Sequence, residues 1–304
     1  MKKTIIFLIL IIVIPLIIVN FNKENNELIK KYGSYNKKIV KVKRVNKNKI
    51  DEVLLEDYVV GVVAGEMPAT FNIEALKAQA VTSRTYVINR LNKKKDFDVL
   101  DTTLNQVYLD NDDMKNKWKN NYEMYLKKVK SAVKSTTGEI ILYNNEVIDA
   151  MFFSTSNGYT ENSEDAFSSS KPYLVSVESK WDEKESPVFS TTEEVSKTTF
   201  LHNLNLVGTS INISDIKRTK GERIKSITIN NKTFSGTKIR EAFGLKSTCF
   251  NIKLEKDKVI FNVKGFGHGV GLSQYGSNGM AKENKNYKQI INHYFKNTEI
   301  KKVF

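Results

Sequence analysis

The sequence predicts an α+β fold, with a mixed α/β main domain, a smaller inserted, strand-rich second domain and a groove between them. Three observations favour this class. Apolar and charged residues alternate over 39–45, helical periodicity follows over 54–91, and hairpin patterns occupy 138–156 and 224–236. With 304 residues, 40% of them hydrophobic, the chain is long enough to bury a sizeable core.

The N-terminus predicts a membrane anchor. Lys2 and Lys3 precede the unbroken apolar run Ile5–Val19, and no small-residue cleavage site follows that run. The run is shorter than the roughly 20 residues of a spanning helix and contains Pro15, so a cleaved signal peptide is the alternative. With both lysines in the cytoplasm, residues 1–21 form a single-pass anchor and the rest of the chain lies outside.

The balance of charge predicts a polyanionic partner. Lys and Arg number 48 against 34 Asp and Glu, which gives a net charge of +14. Such a field attracts nucleic acid, anionic lipid or anionic wall polymer. The alternative is that lysine only keeps the chain soluble, because Asn and Lys are abundant throughout. Since the basic region is predicted to lie outside the membrane, we expect no nucleic acid partner.

Cysteine and histidine predict no disulfide and no metal site. Cys249 is the single cysteine, so an intrachain disulfide is excluded. We interpret it as a small buried hydrophobe; a thiol peptidase with Cys249 as nucleophile is the alternative. The histidines His202, His268 and His293 share no ligand spacing.

The first elements follow from the spacing of apolar residues. Residues 22–38 are polar and predict a linker, after which 39–304 form the extracytoplasmic region. A half-exposed strand is predicted at Ile39–Val45 and a helix at Leu54–Gly65. Apolar residues recur at helical spacing in that helix, namely Leu55, Tyr58, Val59, Val62 and Val63. Gly65 and Pro68 end it.

The clearest helix follows, with Asn72 as its predicted cap. It is predicted to be amphipathic. One apolar stripe runs along it, formed by Ile73, Leu76, Ala80, Val87 and Leu91. Lys77 and Arg84 fall at one edge of this stripe, two turns apart, so we expect both cations to flank one groove.

The second half of the chain predicts shorter elements. A hairpin turns at Asn144-Asn145, and about 180–257 form a possible inserted subdomain. That region contains the hairpin 224–236 and a short helix closed by Gly244. A strand "KVIFNVKGF", a glycine-dense segment and a last helix "YKQIINHYF" follow.

Glu66 is the first candidate for chemistry, because it stands alone between Gly65 and Met67-Pro68. At a helix C-terminus the macrodipole disfavours a negative charge, and flanking apolar residues add desolvation, so its pKa should rise. A carboxyl that keeps its proton near neutral pH can act as a general acid. The alternative is an ordinary exposed loop acid.

The segment Gly265–Gly276 is the second candidate. Five glycines in twelve residues permit close backbone approach or positive φ. His268, Ser273, Gln274 and Tyr275 supply hydrogen-bonding groups that suit a polar, uncharged ligand such as a sugar. The spacing is not that of a phosphate loop. A tight structural turn with a satisfied histidine is the alternative.

Two further stretches are weaker candidates. Phe152–Phe167 combines a strand end with a Ser/Thr/Asn/Gly loop that carries Glu161 and Glu164, a composition common in polysaccharide sites and in plain turns. Asp101–Tyr108, "DTTLNQVY", predicts nothing by itself.

Together these stretches resemble one family, the stage II sporulation protein D family of endospore-forming bacteria. The similar stretches are "AGEMPATFNIEALKAQAVTSRTY", "DTTLNQVY", "FFSTSNGYTENSEDAF", "YLVSVESKWD", "FSGTKIREAFGLKST" and "KGFGHGVGLSQYGSNGMA". They occur in the family's order from about Asp51 to the C-terminus. The resemblance implies a membrane-anchored lytic transglycosylase that needs no cofactor. It implies action on peptide-free (denuded) peptidoglycan glycan strands during forespore engulfment, with a wall amidase/endopeptidase and a membrane protein of the same stage as partners.

The resemblance also implies roles for single residues. Glu66 matches the family's catalytic glutamate. Positions suited to glycan binding are Lys77, Arg84, Gln106, Ser154, Asn157, His268, Gln274 and Tyr275. Some members are expected to bind zinc through a His/Cys pair in the "DTT" stretch, where this chain has Leu104-Asn105, so we predict no metal there.

One carboxyl is sufficient for the implied reaction, because the sugar's own C6 hydroxyl attacks intramolecularly. Whether Asp57 or Asp101 assists Glu66 is left open by the sequence. Lys77 and Arg84 are expected to pair with the free lactyl carboxylates of peptide-free glycan. The main alternative is a non-catalytic wall-binding module that enhances a partner amidase, as the related amidase enhancers do.

Overall fold

The structure is a computed structural model that describes residues 23, 26–91, 96–167 and 169–304. The predicted anchor Ile5–Val19 lies outside the described residues. Within them, no helix has the length and apolar character needed to cross a bilayer.

Helices and strands are interleaved along the described chain, which confirms the α+β class. A helical segment at 26–32 and a 3-10 helix at Gly33–Lys37 come first. The later helices are α1 (Leu55–Glu66), α2 (Ile73–Ile88), α3 (Asn111–Trp118), α4 (Tyr122–Ser135), α5 (Ser163–Phe167), α6 (Trp181–Glu185), α7 (Lys197–Asn203), α8 (Gly236–Phe243), α9 (Gln274–Lys282) and α10 (Tyr287–Tyr294).

The strands of the described residues form small sheets of two or three members. They are β1 (Ile39–Arg44), β2 (Lys49–Leu54), β3 (Val99–Leu100), β4 (Glu139–Tyr143), β5 (Glu146–Val147), β6 (Phe152–Phe153), β7 (Ser190–Ser196), β8 (Ile213–Arg218), β9 (Ile224–Ile229), β10 (Lys232–Ser235), β11 (Phe250–Leu254), β12 (Lys258–Lys264), β13 (Leu272–Ser273) and β14 (Glu299–Lys302). Their sheet orders are β2-β1-β3, β10-β9-β8, β11-β12-β7, β13-β6 and β14-β4-β5. The β1·β3 and β6·β13 pairs are parallel.

Local sequence signals are confirmed where they rest on turn and cap chemistry. The two Asn-Asn turns have φ of 50° and 62° at Asn144 and Asn145, and 48° and 62° at Asn230 and Asn231. Two successive left-handed residues give the turn type that suits a tight hairpin. Gly244, with φ of 62°, ends α8 in the left-handed conformation.

The predicted amphipathic character of α2 is wrong. Thirteen of its sixteen residues are buried, because α1, α4, α9, α10 and β4 surround it. Its second face is lined by alanine and hydroxyl residues, which are small enough for neighbouring elements to pack against them. The hydroxyls of Thr82 and Thr85 bond to carbonyls one turn earlier, at 2.8 and 2.7 Å, so burying them leaves no unpaired donor.

The described residues form two apolar clusters. The larger one surrounds α2 and takes in α1, α4, α10 and β4. The smaller one is built only from residues between Phe200 and Val263. The predicted inserted subdomain at 180–257 overlaps this smaller cluster; its boundaries stay a prediction.

Candidate active site

Glu66 is the last residue of α1, and two distant segments hold its carboxyl. Oε1 accepts a hydrogen bond from the backbone N–H of Val107 at 2.6 Å. Oε2 accepts one from the side-chain amide of Gln274 at 3.2 Å. The carboxyl is therefore oriented from both sides.

Two glycines of α1 let the chain after Gln106 lie directly on this helix. A Cβ at Gly61 or Gly65 would come closer than 3.0 Å to Tyr108 or Val107, respectively. The backbone N–H of Leu109 also donates to the Gly61 carbonyl, at 3.2 Å. A Gly-x-x-x-Gly spacing permits such close approach, and it is the sequence signal that would have located Val107 beside Glu66.

The environment of Glu66 favours its protonated form. Burial raises the pKa of Glu66, and it outweighs the hydrogen bonds from Val107 and Gln274 and the charge of Lys117, which act the other way. Nζ of Lys117 donates to the Ala64 and Gly65 carbonyls, at 2.8 and 3.2 Å, and so caps the end of α1. The predicted rise is confirmed, and desolvation is its main cause.

The glycine-dense segment brings Gln274 to Glu66. Gly265, Gly267, Gly269 and Gly271 have φ of 77°, 108°, 86° and 81°, as the sequence predicted for this segment. A Cβ on Gly271 would collide with the Met151 carbonyl. This close approach allows β13 to pair in parallel with β6, and Gln274 then begins α9 beside the 151–154 segment.

A cavity of about 670 Å³ lies against the Glu66 carboxyl. Four of the predicted site residues line it, namely Glu66, Ser154, His268 and Gln274. The sequence interpretation did not single out the other lining residues, although some lie in its candidate stretches; they are Tyr86, Thr103, Leu104, Asn105, Met151, Phe152, Phe153, Phe167, Arg240, Phe266 and Gly267. Aromatic walls with a few polar groups are typical of ligand sites. Of the described residues in this lining, Glu66 is the only one with a carboxyl, and Arg240 is the only cation.

His268 lines the cavity as a neutral ring. Its Nδ1 accepts a hydrogen bond from the Val270 N–H at 3.1 Å, and the ring also bonds to the Phe152 backbone. Burial, with the charge of Arg223, lowers the pKa of His268 to about 3. Because the backbone occupies its polar atoms, His268 offers a ligand mainly its ring surface.

The expectation that Arg84 lies at a groove edge is wrong. Its side chain is 0% exposed, and Nε and Nη2 each bond to one carboxylate oxygen of Glu56 at 2.7 Å. Arg84 is a buried structural cation because α2 is enclosed on both faces. Lys77 pairs with Glu74 at 2.6 Å on the same helix and is not among the residues that line the cavity.

Three other predicted binding residues lie outside the cavity lining. Gln106 is fully buried and accepts a hydrogen bond from the Tyr58 hydroxyl at 2.9 Å. Asn157 donates to the Gly221 carbonyl at 2.8 Å and to the Cys249 sulfur at 3.3 Å. The ring of Tyr275 packs edge-on against another aromatic ring of the main core. Their binding roles stay predictions.

The described residues contain no group of three or more His, Cys, Asp or Glu side chains that could hold a metal ion. Cys249 is buried, and burial raises the pKa of its thiol, which keeps it in the unreactive form. Asp101 bonds to Arg44 at 2.9 Å. Neither Asp57 nor Asp101 lines the cavity, so neither carboxyl is in place to assist Glu66.

Comparison with known proteins assigns the family. A sequence model described as "Stage II sporulation protein" matches residues 43–143. Stage II sporulation protein D of Bacillus subtilis is 44% identical over 269 residues, which cover 86% of this chain and 78% of that protein. The protein of the same name from Bacillus amyloliquefaciens is 41% identical over the same shares. An amidase enhancer of Bacillus subtilis is 29% identical over 79% of this chain and 40% of its own length. The chain belongs to the stage II sporulation protein D family.

Proposed function

We propose that the chain is a lytic transglycosylase that cleaves the MurNAc–GlcNAc bond of peptide-free peptidoglycan strands in forespore engulfment. The supporting observation is that Glu66, whose pKa is raised, is the only carboxyl that the described residues contribute to the lining of a cavity of about 670 Å³. Two-carboxyl glycosidases need a second carboxylate, which either activates a water molecule as a base or forms a covalent intermediate as a nucleophile. A transglycosylase does not, because its nucleophile belongs to the substrate.

The reaction begins with proton transfer. The Glu66 carboxyl donates its proton to the glycosidic oxygen that leaves C1 of MurNAc, and an oxocarbenium-like centre forms at C1. Val107 and Gln274 stabilise the resulting carboxylate, because both donate hydrogen bonds to its oxygens. The same two donors fix the direction of the transferred proton.

Ring closure completes the reaction. The C6 hydroxyl of the same sugar attacks C1 and gives its proton to the Glu66 carboxylate, which regains its starting state. The C1–O bond to the leaving sugar breaks, a C1–O6 bond forms, and no water is consumed. Holding both partners in one sugar supplies a high effective molarity. The cavity's aromatic residues, among them Phe152 and Phe266, supply ring surfaces for the sugar.

Product analysis tests this proposal. The full-length chain, purified in detergent, is incubated with peptide-free glycan, and the ends of the fragments are identified by mass spectrometry. We expect 1,6-anhydro ends from the wild type and none from Glu66→Gln. The exposed Glu52→Gln variant, which removes the same charge, serves as the control. Equal cleavage by Glu66→Gln, or reducing ends formed with water, contradicts the proposal.

A non-catalytic role is the second candidate, and the similarity to an amidase enhancer favours it. In that case the chain binds glycan and raises the activity of a partner amidase without cutting the strand itself. Glycan binding without fragments, together with faster amidase turnover that is unchanged in Glu66→Gln, would support this candidate.

We also propose the surroundings in which the chain works. Ile5–Val19 anchors it in the cell membrane with residues 39–304 outside, and the net charge of +14 favours the anionic wall. A wall amidase/endopeptidase that removes stem peptides would supply the substrate, and a membrane protein of the same stage would complete the assembly. We expect no nucleic acid in this assembly. Protease protection in right-side-out vesicles tests the orientation.

A further inference from the structure

The cations that were expected to recognise the substrate do not line the cavity, but a different one does. Arg240, on the second turn of α8, lines the same cavity as Phe266 and His268. Among the lining residues that the structure describes, it is the only cationic side chain.

Arg240 has spare hydrogen-bonding capacity. Its Nε donates to the Leu245 carbonyl at 3.2 Å, and this is the only hydrogen bond of its side chain within the described residues. Gly244 makes this bond possible, because its left-handed conformation turns the chain back toward α8. No carboxylate of the described residues lies within 4.0 Å of the guanidinium. The N–H groups of the terminal nitrogens can therefore donate hydrogen bonds to an anionic ligand.

Two cations, Arg223 and Arg240, act on His268 at this part of the cavity, and the negative charge of Glu241 acts on Arg240. Burial lowers the pKa of His268, and the charges of Arg223 and Arg240 act in the same direction, so the ring stays neutral. Burial also lowers the pKa of Arg240 itself, since the guanidinium lacks the full hydration of a surface arginine. An anion bound here would offset the lost hydration of the guanidinium. The attraction between the two charges is also screened less in a half-buried site than in bulk water.

We propose that Arg240 binds the free lactyl carboxylate of the MurNAc unit in the cavity, and so selects glycan whose stem peptides have been removed. This inference rests on the proposed function. The lactyl group is attached at C3 of the sugar whose C1 oxygen Glu66 protonates. The carboxylate and the scissile bond thus belong to one sugar ring, as Arg240 and Glu66 belong to one cavity.

The chemistry of the lactyl group explains the selectivity. In peptide-bearing glycan the same carbon is an amide, which is neutral and carries a bulky chain. A guanidinium gains a charge-assisted, two-pronged contact from the carboxylate and only a weak one from the amide. The protonated form of Glu66 adds no negative charge that would repel the carboxylate.

Two chemically matched glycans test this. One is peptide-free glycan; in the other, the lactyl carboxylates of the same preparation are converted to methylamides. For the wild type we expect kcat/KM on the carboxylate glycan to exceed that on the methylamide by about tenfold or more, mostly through KM. Arg240→Gln should reduce this ratio to near one, and Arg240→Lys should retain part of it. Lys238→Gln, which removes a charge from an exposed position on the same helix, should keep the wild-type ratio.

A binding measurement, which needs no cleavage, tests this inference separately from the proposed function. In a Glu66→Gln background, affinity for the two glycans is measured with and without Arg240→Gln. Loss of the preference for carboxylate glycan supports the role of Arg240, even if no wild-type cleavage is found and the proposed function fails. An unchanged preference in Arg240→Gln and Arg240→Lys, with wild-type melting temperatures, overturns the inference.

Discussion

The backbone N–H of Val107 lies 2.6 Å from Oε1 of Glu66, although the two residues are 41 positions apart in the chain. A backbone N–H donor does not titrate, and among the standard substitutions only proline removes it. The segment that carries Val107 therefore positions the carboxyl, and whatever holds that segment in place supports the proposed acid.

The difference in stability between Glu66→Gln and the wild type should depend on pH in a defined direction. The pKa of Glu66 is raised above its usual value near 4.5 by burial. Between that value and the raised one, the unfolded chain has lost a proton that the folded chain keeps, so wild-type stability falls as pH rises. Each unit of pKa difference removes about 1.4 kcal/mol. The Gln variant lacks this loss and should melt higher than the wild type at pH 7, with a smaller difference at pH 4.

Thermal melts at both pH values check this prediction. Glu52→Gln, on an exposed strand position, is the control. A Glu66→Gln difference that is constant between pH 4 and pH 7 would contradict a raised pKa.

Arg44 should be the residue that holds the Val107 segment. It is 2% exposed, and its guanidinium bonds to Asp101 at 2.9 Å and to Asp110 at 2.8 Å, which are the two ends of that segment. It also bonds to Asp51 and Asp113. Arg44→Gln leaves these carboxylates without their central partner, and we expect a loss of about 3–5 kcal/mol.

Lys47→Gln is the matched control, because Lys47 also contacts Asp110 but is 37% exposed. It should cost less than about 1 kcal/mol. Burial acts to raise the pKa of Asp51 and Asp110, but hydrogen bonds from Lys49, Lys47 and Arg44 outweigh it and lower both. The stabilisation is thus present above pH 4 and is lost as pH falls through the lowered values. Denaturant unfolding of the wild type and Arg44→Gln at pH 7 and pH 3 measures this stabilisation. If Arg44→Gln lost the same free energy of unfolding at both pH values, the predicted pH dependence would be refuted.

Arg84→Met should lose activity because it destabilises the fold. The substitution leaves the Glu56 carboxylate, 24% exposed, without its two 2.7 Å partners. We expect a loss of about 3–5 kcal/mol of stability. The double variant Arg84→Met/Glu56→Leu removes both charges and should recover much of it. If Arg84→Met kept the wild-type melting temperature and lost activity, a direct role in glycan binding would be indicated instead.

Gly276→Ala should destabilise the protein strongly. The added Cβ would come within 3.0 Å of the Tyr294 hydroxyl, Ser179 Oγ and Asp182 Oδ2, which form a buried hydrogen-bonded group. Overpacking of this kind costs about 1–3 kcal/mol. Gly33→Ala, whose Cβ would make contacts of 3.4 and 3.6 Å, is the control and should change stability little. Melting temperatures compare the two, and equal shifts would contradict the packing described.

The sequence predicted features that depend on local chemistry. Glu66 at the end of α1, the Asn72 cap, the Asn-Asn hairpins and the left-handed glycines each depend on neighbouring residues only. These were correct because turns and caps are set by the conformational limits of a few side chains.

Features that depend on what packs against an element were not predictable in this way. Arg84 looked like an edge cation, because periodicity gives the direction of a side chain but not whether another element covers it. Arg240 was assigned no role, although it lies in the family-like stretch "FSGTKIREAFGLKST", because the sequence does not show that the short helix α8 lies near Glu66. The cavity brings together residues from Glu66 to Gln274, and that arrangement exists only in the folded chain.

The enclosure of α2 has a consequence for motion. Its amides can exchange with deuterated solvent only when the surrounding helices separate, so they should report the cooperative opening of the whole molecule. Because α1 packs directly on α2, we expect the helix that carries Glu66 to exchange slowly as well. We expect any movement that admits a glycan to occur at other lining residues, such as the exposed Leu104 and Phe266, while the proposed proton donor stays fixed.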